Sequence, residues 1–374
     1  MRTVLFTFFV FCSCFVFAQP DKANSRGMME VKTFKLPKFP IADFPKRSIS
    51  VSDIRVIQTM RDSIRMGYTM KGMDDYIVML TSEKPPTRFL QDGVYNMYKD
   101  DFKEGGVQLL WVVKDLRLGE KSGFMEYSYI RFNADAYISK DGSLYNPVCN
   151  LDTTLVAESG GDVTAWHGED IENAFRLLLK RTLQNAKAVL EQDQAGMSME
   201  KIKERSIYKT DLPILMDEVY NEGAYANFEE FLQNKPSIKD YRILVMGKKK
   251  EVKFIRILEN NNTDTVEVWG CCKEGELYKF DQQLLIPIEQ QGRGFIISNY
   301  VENATRRNSA RAFREFAWVM FGAVGAGVAV ATTGKAANKA ASSILLVKSI
   351  PYITKEKKQP EATCIDMRTG ELAF

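Results

Sequence analysis

Apolar residues follow two different spacings in the first half of the chain. In four stretches they alternate with polar residues or form short continuous runs, which is typical of β-strands. In two longer stretches they return every three or four positions, which is typical of helices that bury one face. The pattern predicts helices at Thr87–Phe102 and about Glu169–Glu191, and strands at Ser52–Gln58, Val107–Leu118, Met125–Ile138 and Leu144–Val156.

The third of these predicted strands changes phase near its middle. Tyr127 and Tyr129 belong to one face, whereas the apolar positions from Ile130 onward belong to the other. A β-bulge near Tyr129 is expected, because one extra residue shifts the alternation of a strand. The Asp141-Gly142 pair that follows is a turn signal and predicts an antiparallel hairpin.

The second half of the chain is patterned in shorter pieces. Asn227–Gln233 has the apolar spacing of a helical turn, and short alternating stretches follow it. Strands this short and this closely spaced are typical of a mostly β domain. They are predicted at Arg242–Met246, Lys253–Leu258, Thr265–Trp269, Leu277–Phe280, Leu284–Pro287 and Gly294–Ser298.

These elements predict an α+β fold. An N-terminal antiparallel sheet with two packed helices is followed by a mostly β second domain and a Gly/Ala-rich apolar C-terminal segment. The polar, lysine-rich residues before Pro213 have the composition of a connector. The predicted layout is 1–18 as signal peptide, 19–50 as extended N-terminus, 51–192 as α+β domain, 193–212 as connector, 213–303 as mostly β domain, 304–340 as apolar helical segment with basic flanks, and 341–374 as C-terminal strands.

The beginning of the chain has the order of a secretory signal peptide. Arg2 supplies positive charge, an apolar stretch runs from Val4 to Phe17, and Ala18 precedes Gln19. Signal peptidase cleaves after such a small residue, so we expect the mature chain to begin at Gln19. A transmembrane helix needs about 20 apolar residues, which is more than this stretch offers. The residues before Cys14 are a poor lipoprotein signal.

Charge and composition exclude one class of partner. The 374-residue chain carries 51 basic and 48 acidic side chains, and it is 45% apolar, which is enough to bury a large core. Cleavage of the signal peptide removes one charge, Arg2, and leaves the protein nearly neutral. The basic clusters at 248–250, 306–314 and 355–358 are too short to form a basic face. We therefore expect no nucleic-acid partner.

Four cysteines remain after cleavage. An exported protein can pair them, and of the three connectivities one joins the adjacent Cys271 and Cys272. Buried free thiols are an equal alternative, because a thiol packs as a small apolar group. No CxxC spacing predicts a zinc site. The candidates for disulfides are Cys149, Cys271, Cys272 and Cys364.

An uncharged run from Phe316 to Gly334 bears on localisation. One interpretation is a helix that spans a membrane, but the arginines between Arg306 and Arg314 lie on the flank where the positive-inside rule disfavours them. The favoured interpretations are a small-residue helix or hairpin buried against the protein or a partner subunit, and an apolar loop that touches the outer membrane.

No constellation in the sequence predicts catalysis. His167 is the one histidine of the chain, and its position just before the second long helix suggests a capping residue or an exposed turn. Glu169 and Asp170 suit the start of that helix, where the helix dipole favours negative charge. The glycine-rich residues 322–327 lack the lysine of a phosphate loop. The sequence therefore favours a protein that is not an enzyme, without deciding the question, and we expect no metal and no cofactor.

Three passages carry a resemblance. Asn227–Ser237, Trp269–Tyr278 and Asp366–Glu371 resemble segments of uncharacterised secreted or envelope proteins of the Bacteroidota. The order of elements in the first half is more loosely similar to that of small periplasmic lipoprotein domains that assist outer-membrane transport. The resemblance implies a host with two membranes and no particular activity.

Export and the absence of a catalytic motif favour a non-enzymatic envelope protein. We expect it to be periplasmic or associated with the outer membrane, and to bind another protein, a lipid or a glycan. Membrane association through residues 316–334 is open. Two other functions remain: a hydrolase of glycan or peptide whose carboxylates the fold brings together, and a secreted structural or adhesive protein.

Overall fold

A computed structural model describes most of the chain. The signal peptide, most of the extended N-terminus and the apolar residues 316–334 lie outside the described residues, so the predictions made for them stay predictions. The described residues are 30–36, 49–60, 65–72, 76–122, 125–192, 195–206, 211–247, 251–257, 262–308, 345–348, 350 and 359–374.

The fold is α+β and mostly strand, with several sheets and few helices. The first sheet has seven strands in the order β1-β4-β3-β5-β6-β7, with β2 paired to β5 beside this path. Its strands are β1 Val31–Phe34, β2 Val51–Gln58, β3 Arg65–Lys71, β4 Tyr76–Ser82, β5 Val107–Lys121, β6 Glu126–Ser139 and β7 Asn146–Ser159.

This sheet is mixed, which corrects the prediction of an antiparallel sheet. The hairpin-connected strands β5, β6 and β7 are antiparallel as expected. However, β2 and β3 both run parallel to β5, and β1 runs parallel to β4. Alternation of apolar residues reports which face is buried but not the direction of the neighbouring strand. The pattern also missed β3 and β4.

Two helices cover one face of this sheet. Helix α1, Pro86–Tyr98, packs against β2, and helix α2, His167–Glu191, packs against β6 and β7. Trp111 on β5 is fully buried in their shared core, where its ring lies 6.0 Å from that of Phe175 on α2. Burial of such large apolar surfaces is the main force that holds the two helices on the sheet.

The phase change in β6 has a different cause from the predicted bulge. Register with β5 and β7 is continuous through Tyr129, and the irregularities lie at Val113/Asp115 and Ala136/Tyr137 instead. Tyr129 is buried because the ring of Phe374, 6.0 Å away, covers the second face of the sheet there. The strand is therefore apolar on both faces at this point without slipping.

The predicted connector contains a helix that packs on the sheet. Helix α3, Met199–Ser206, buries Ile202 against Leu110, Val112 and Tyr145 on the second face. A short helix α4, Pro213–Met216, follows it. The second face is thus covered by α3 on one side and by Phe374 on the other.

The remaining strands form two further sheets. A three-stranded antiparallel sheet contains β9 Tyr241–Met246, β10 Glu251–Ile257 and β11 Thr263–Val266. A seven-stranded sheet has the order β17-β16-β15-β14-β13-β12-β8. Helix α5, Phe228–Leu232, lies within the predicted helical turn, is capped by the Asn227 side chain and packs on this sheet. The strands of this sheet are β8 Gly223–Tyr225, β12 Gly270–Lys273, β13 Glu276–Asp281, β14 Leu284–Gln291, β15 Gly294–Ile297, β16 Cys364–Ile365 and β17 Leu372–Ala373.

Among the described residues, 300–308 are helical and are labelled α6. Within the described ranges, no helix combines the length and the apolar character needed to cross a membrane. The predicted division into two domains stays a prediction.

Candidate functional site

A row of charged and amide side chains crosses the second face of the first sheet. Register places Arg117 of β5 beside Arg131 of β6, and Asp115 beside Asn133. On the other edge of β6, Asn133 is paired with Asp152 of β7. Because side chains alternate between the faces of a strand, these groups share one side. The irregularity at Val113/Asp115 lets the adjacent Lys114 reach the same side, where it contacts Asp135. We call this surface the polar face and define it by Lys114, Asp115, Arg117, Arg131, Asn133, Asp135, Asn150 and Asp152.

Each charge on the polar face is matched by a neighbour. Lys114 Nζ lies 2.5 Å from Asp135 Oδ2, and Arg117 Nε lies 3.4 Å from Asp115 Oδ1. Arg131 forms an ion pair with Asp152. The six charged side chains are between 14% and 38% exposed, so they are anchored by the sheet and still reach solvent.

Amides join these pairs into a network. Asn133 Nδ2 donates to Asp152 Oδ2 at 2.9 Å, and Asn150 Nδ2 donates to Asp135 Oδ1 at 2.8 Å. Such cross-links hold neighbouring side chains in fixed orientations, since each rotamer is tied to another. The polar face is therefore a preorganised array of donors and acceptors.

The C-terminal strands close one end of the polar face and form a cleft. The cleft is small, with a cavity volume of about 50 Å³, and it opens to solvent. Asp366 and Arg368 line it from the turn between β16 and β17, opposite Asp115 and Arg117. Arg368 Nη2 donates to Asp366 Oδ2 at 2.8 Å, so this pair is matched as well. Phe295, Met367 and Phe374 supply the apolar part of the wall.

The two carboxylates of the cleft have pKa values that move in opposite directions. Burial raises the pKa of Asp115 above its ordinary 3.8, although the Arg117, Arg131 and Arg368 guanidinium groups oppose the rise. Burial acts in the same direction on Asp366, but hydrogen bonds and the charge of Arg368 outweigh it and leave the pKa of Asp366 below 3.8. Such divergence places groups of different proton affinity side by side.

Replacement of each carboxylate is expected to change stability with opposite sign. Because the folded protein binds the Asp115 proton more tightly, the free energy of unfolding falls as pH rises from 3.8 through the raised pKa. Asp115→Asn removes this cost and is expected to be more stable than wild type at pH 7, with the difference shrinking toward pH 3.8. Urea unfolding across this range measures it.

Asp366→Asn is the matched control. The lowered pKa of Asp366 stabilises the fold above pH 3.8, and this contribution disappears as pH falls through the lowered value. The variant is expected to be less stable than wild type at pH 7. Equal pH profiles for the two variants would contradict the assignment of the two shifts.

The three passages that carry the sequence resemblance meet behind the cleft. The indole of Trp269 donates from Nε1 to the carbonyl of Gly370 at 2.9 Å. The ring of Phe228 packs 5.3 Å from that of Trp269. Gly370 has φ +76°, and a Cβ there would lie 2.5 Å from Phe228. These contacts fix the turn that presents Asp366 and Arg368 to the cleft.

His167 lies elsewhere, in a buried network, which corrects the prediction of a cap or an exposed turn. It is fully buried at the start of α2. Its Nε2 lies 2.7 Å from Glu120 Oε1 and its Nδ1 lies 3.1 Å from Ser128 Oγ. Ser128 Oγ in turn donates to Asp170 Oδ2 at 2.6 Å.

Ser128, His167 and Glu120 have the side chains of a nucleophilic triad but not its geometry. The Ser128 hydroxyl is fully buried and gives its proton to Asp170, so it is neither accessible nor directed at a base. Burial also raises the pKa of Asp170. The network ties α2 to β5 and β6, and its role is structural.

The four candidate disulfide cysteines are free thiols in the structure. Cys271 and Cys272 are neighbours on β12 and enter different apolar clusters, as expected for adjacent positions of a strand. Burial raises the pKa of Cys271 to about 12 and that of Cys272 to about 11. Such thiols are poorly reactive. Cys149 is half-buried, and Cys364 lies buried in the wall of the cleft.

The described part of the chain holds no group of three or more His, Cys, Asp or Glu side chains arranged to bind a metal ion.

Comparison with known proteins adds little to this geometry. No protein-family model matches the chain, and no curated protein matches it. Among solved structures it is similar to a Xanthomonas campestris protein of the DUF330 family, with 15% sequence identity over 44% of this chain and 100% of that one. The TM-score of 0.29 is too low to support an argument about fold or function.

Proposed function

We propose that the chain is an exported, non-enzymatic binding module of the bacterial envelope, and that its ligand occupies the cleft and the polar face. The signal-peptide pattern of residues 1–18 supports export. The observation that carries the binding site is the fixed array of charged and amide groups that reaches solvent beside the cleft.

A binding assay with the envelope fraction tests this proposal. Mature protein beginning at Gln19 is incubated with envelope fragments from the expressing cells, and the retained amount is measured. Retention is expected for wild type and should be lost in Arg368→Ala, which removes a cleft cation. Lys187→Ala is the control, because Lys187 is 72% exposed on α2, away from the cleft.

Two results would overturn the proposal. One is recovery of the protein from cytosol with Met1 intact, which contradicts export. The other is equal retention of wild type and Arg368→Ala, which contradicts the cleft as the binding site.

The described residues before and after the predicted apolar segment are joined by contacts at Glu361. Arg307 on α6 lies 2.5 Å from Glu361, and Tyr300 donates its hydroxyl to the same carboxylate at 3.2 Å. Glu361 also forms an antiparallel bridge with Leu346. These contacts support the proposal that residues 308 and 345 lie on the same side of any membrane.

Cysteine labelling tests this topology. Glu302→Cys and Lys348→Cys introduce thiols at positions that are 62% and 53% exposed. A membrane-impermeant maleimide is expected to label both variants or neither, in intact cells and again after permeabilisation of the outer membrane. Labelling of one position under conditions that protect the other would indicate a single crossing.

One observation favours a second candidate, the hydrolase of glycan or peptide. Asp115 and Asp366 line one cleft, and the pKa of the first is raised while that of the second is lowered. An acid and a base of this kind are what hydrolysis of a glycosidic bond uses. Release of fragments from labelled envelope by wild type but not by Asp115→Asn would establish the hydrolase and exclude a pure binding module.

A further inference from the structure

The charges of the polar face are balanced. Three basic side chains face three acidic ones, each pair in contact, and the Arg368–Asp366 pair of the cleft is balanced too. An anionic ligand would have to break these pairs, because each basic side chain of the polar face, and Arg368 of the cleft, already has a carboxylate beside it. Arg65, which also lines the cleft, donates to Tyr68 and Gln291. The surface therefore favours a ligand with no net charge.

The spacing of donors and acceptors suits hydroxyl groups. A hydroxyl donates one hydrogen bond and accepts others, so it binds best where a carboxylate and an amide or guanidinium lie side by side. Asp152 has both Arg131 and Asn133 against it, and Asp135 has Lys114 and Asn150. Each carboxylate thus presents an acceptor next to donors, in a row that crosses three strands.

Other ligand classes fit this surface less well. An acyl chain needs a mainly apolar cavity, and the floor here is charged. The centre of a protein interface is depleted in charged residues. Moreover, exposed large apolar side chains such as Leu244, Val245 and Met216 lie outside both the polar face and the cleft.

We infer that the ligand is an uncharged saccharide chain, an inference that rests on the proposed function of the cleft. Its hydroxyls bind along the polar face, between the carboxylates and their amide and guanidinium neighbours. Polysaccharides of the envelope are the source of such a ligand.

Calorimetric titration of the mature protein with purified probes tests this inference. The neutral oligosaccharides are chitohexaose and maltohexaose, and the charged probes are inorganic phosphate and hexaglutamate. Saturable binding of at least one neutral oligosaccharide is expected, with neither charged probe competing. Asp152→Ala should weaken that binding by about tenfold or more, because a carboxylate hydrogen bond is lost.

Glu191→Ala is the matched control for Asp152→Ala. It removes a carboxylate that is 67% exposed on α2, and its affinity is expected to equal that of wild type. Circular dichroism of both variants verifies the fold, and Asn150→Ala provides an independent weakening at an exposed position of the polar face.

The outcomes separate this inference from the proposed function. Binding of hexaglutamate or phosphate at the cleft, or of no probe at all, overturns the saccharide ligand. If the envelope fraction still retains wild type and not Arg368→Ala, the binding module stands with a ligand of another class. If that retention also fails to depend on Arg368, both are wrong.

Discussion

Replacing His167 with alanine is expected to destabilise the fold by about 2–4 kcal/mol, because Glu120 and Ser128 each lose a hydrogen bond in the interior. Glu120 and Asp170 are both buried, and the imidazole links them through Ser128. Glu120 would keep the hydrogen bonds that it accepts from the Thr69 hydroxyl at 2.6 Å and from the Met70 amide at 2.5 Å. Ser128 would lose its hydrogen bond to the imidazole ring. Urea unfolding at pH 7 measures the change.

Two further variants test whether the lost stability comes from the His167 hydrogen bonds. His167→Gln retains hydrogen-bonding groups and is expected to recover part of the loss. Lys187→Ala removes one partner of a solvent-exposed pair on the same helix and should cost no more than about 0.5 kcal/mol. A His167→Ala protein as stable as Lys187→Ala would show that the network does not hold α2 to the sheet.

Replacing Gly370 with alanine is expected to cost about 2–4 kcal/mol, from strain at positive φ and from overpacking. The new Cβ would lie 2.5 Å from Phe228 and 2.7 Å from Trp269 Nε1, in backbone held at φ +76°. To relieve the contact, the turn must move away from Trp269, and Asp366 and Arg368 move with it. Binding to the envelope fraction should therefore fall along with thermal stability.

Gly275→Ala separates strain from packing. Gly275 has nearly the same φ, +78°, but nothing lies within 4 Å of a Cβ there. Its replacement is expected to cost only the backbone strain, about 1 kcal/mol, and to leave binding unchanged. If the two variants lose equal stability, the contact of the turn with Phe228 and Trp269 does not support the cleft.

Strand positions could be predicted from the sequence, because a strand that buries one face alternates apolar and polar residues. The alternation in β6 and the apolar run of β5 both led to correct strands. The relative direction of neighbouring strands could not be predicted from the sequence, since parallel and antiparallel neighbours bury the same faces. The prediction at Tyr129 failed because Phe374, far away in the chain, covers the opposite face at that point.

The candidate site could not be predicted from the sequence for a related reason. Arg131, Asn133 and Asp135 occupy the polar positions of an alternating strand, which is also the pattern of an ordinary solvated face. Only register aligns them with Asp115 and Asp152, and only the third sheet brings Asp366 and Arg368 to the same cleft.

His167 shows the same limit for a single residue. Its partners Ser128 and Glu120 are 39 and 47 positions away. A lone histidine near a helix start has the same local sequence whether it is exposed or buried. The sequence did predict the two strands, β5 and β6, near whose ends Glu120 and Ser128 lie.

Photo-crosslinking tests the central claim, that the polar face and cleft form the ligand site. Mature protein is irradiated with chitohexaose that carries a diazirine group, and the modified residues are identified by mass spectrometry. Crosslinks are expected within residues 114–117, 131–135, 150–152 and 366–368. Crosslinks confined to the β9–β11 sheet or to the exposed side of α2 would contradict the claim.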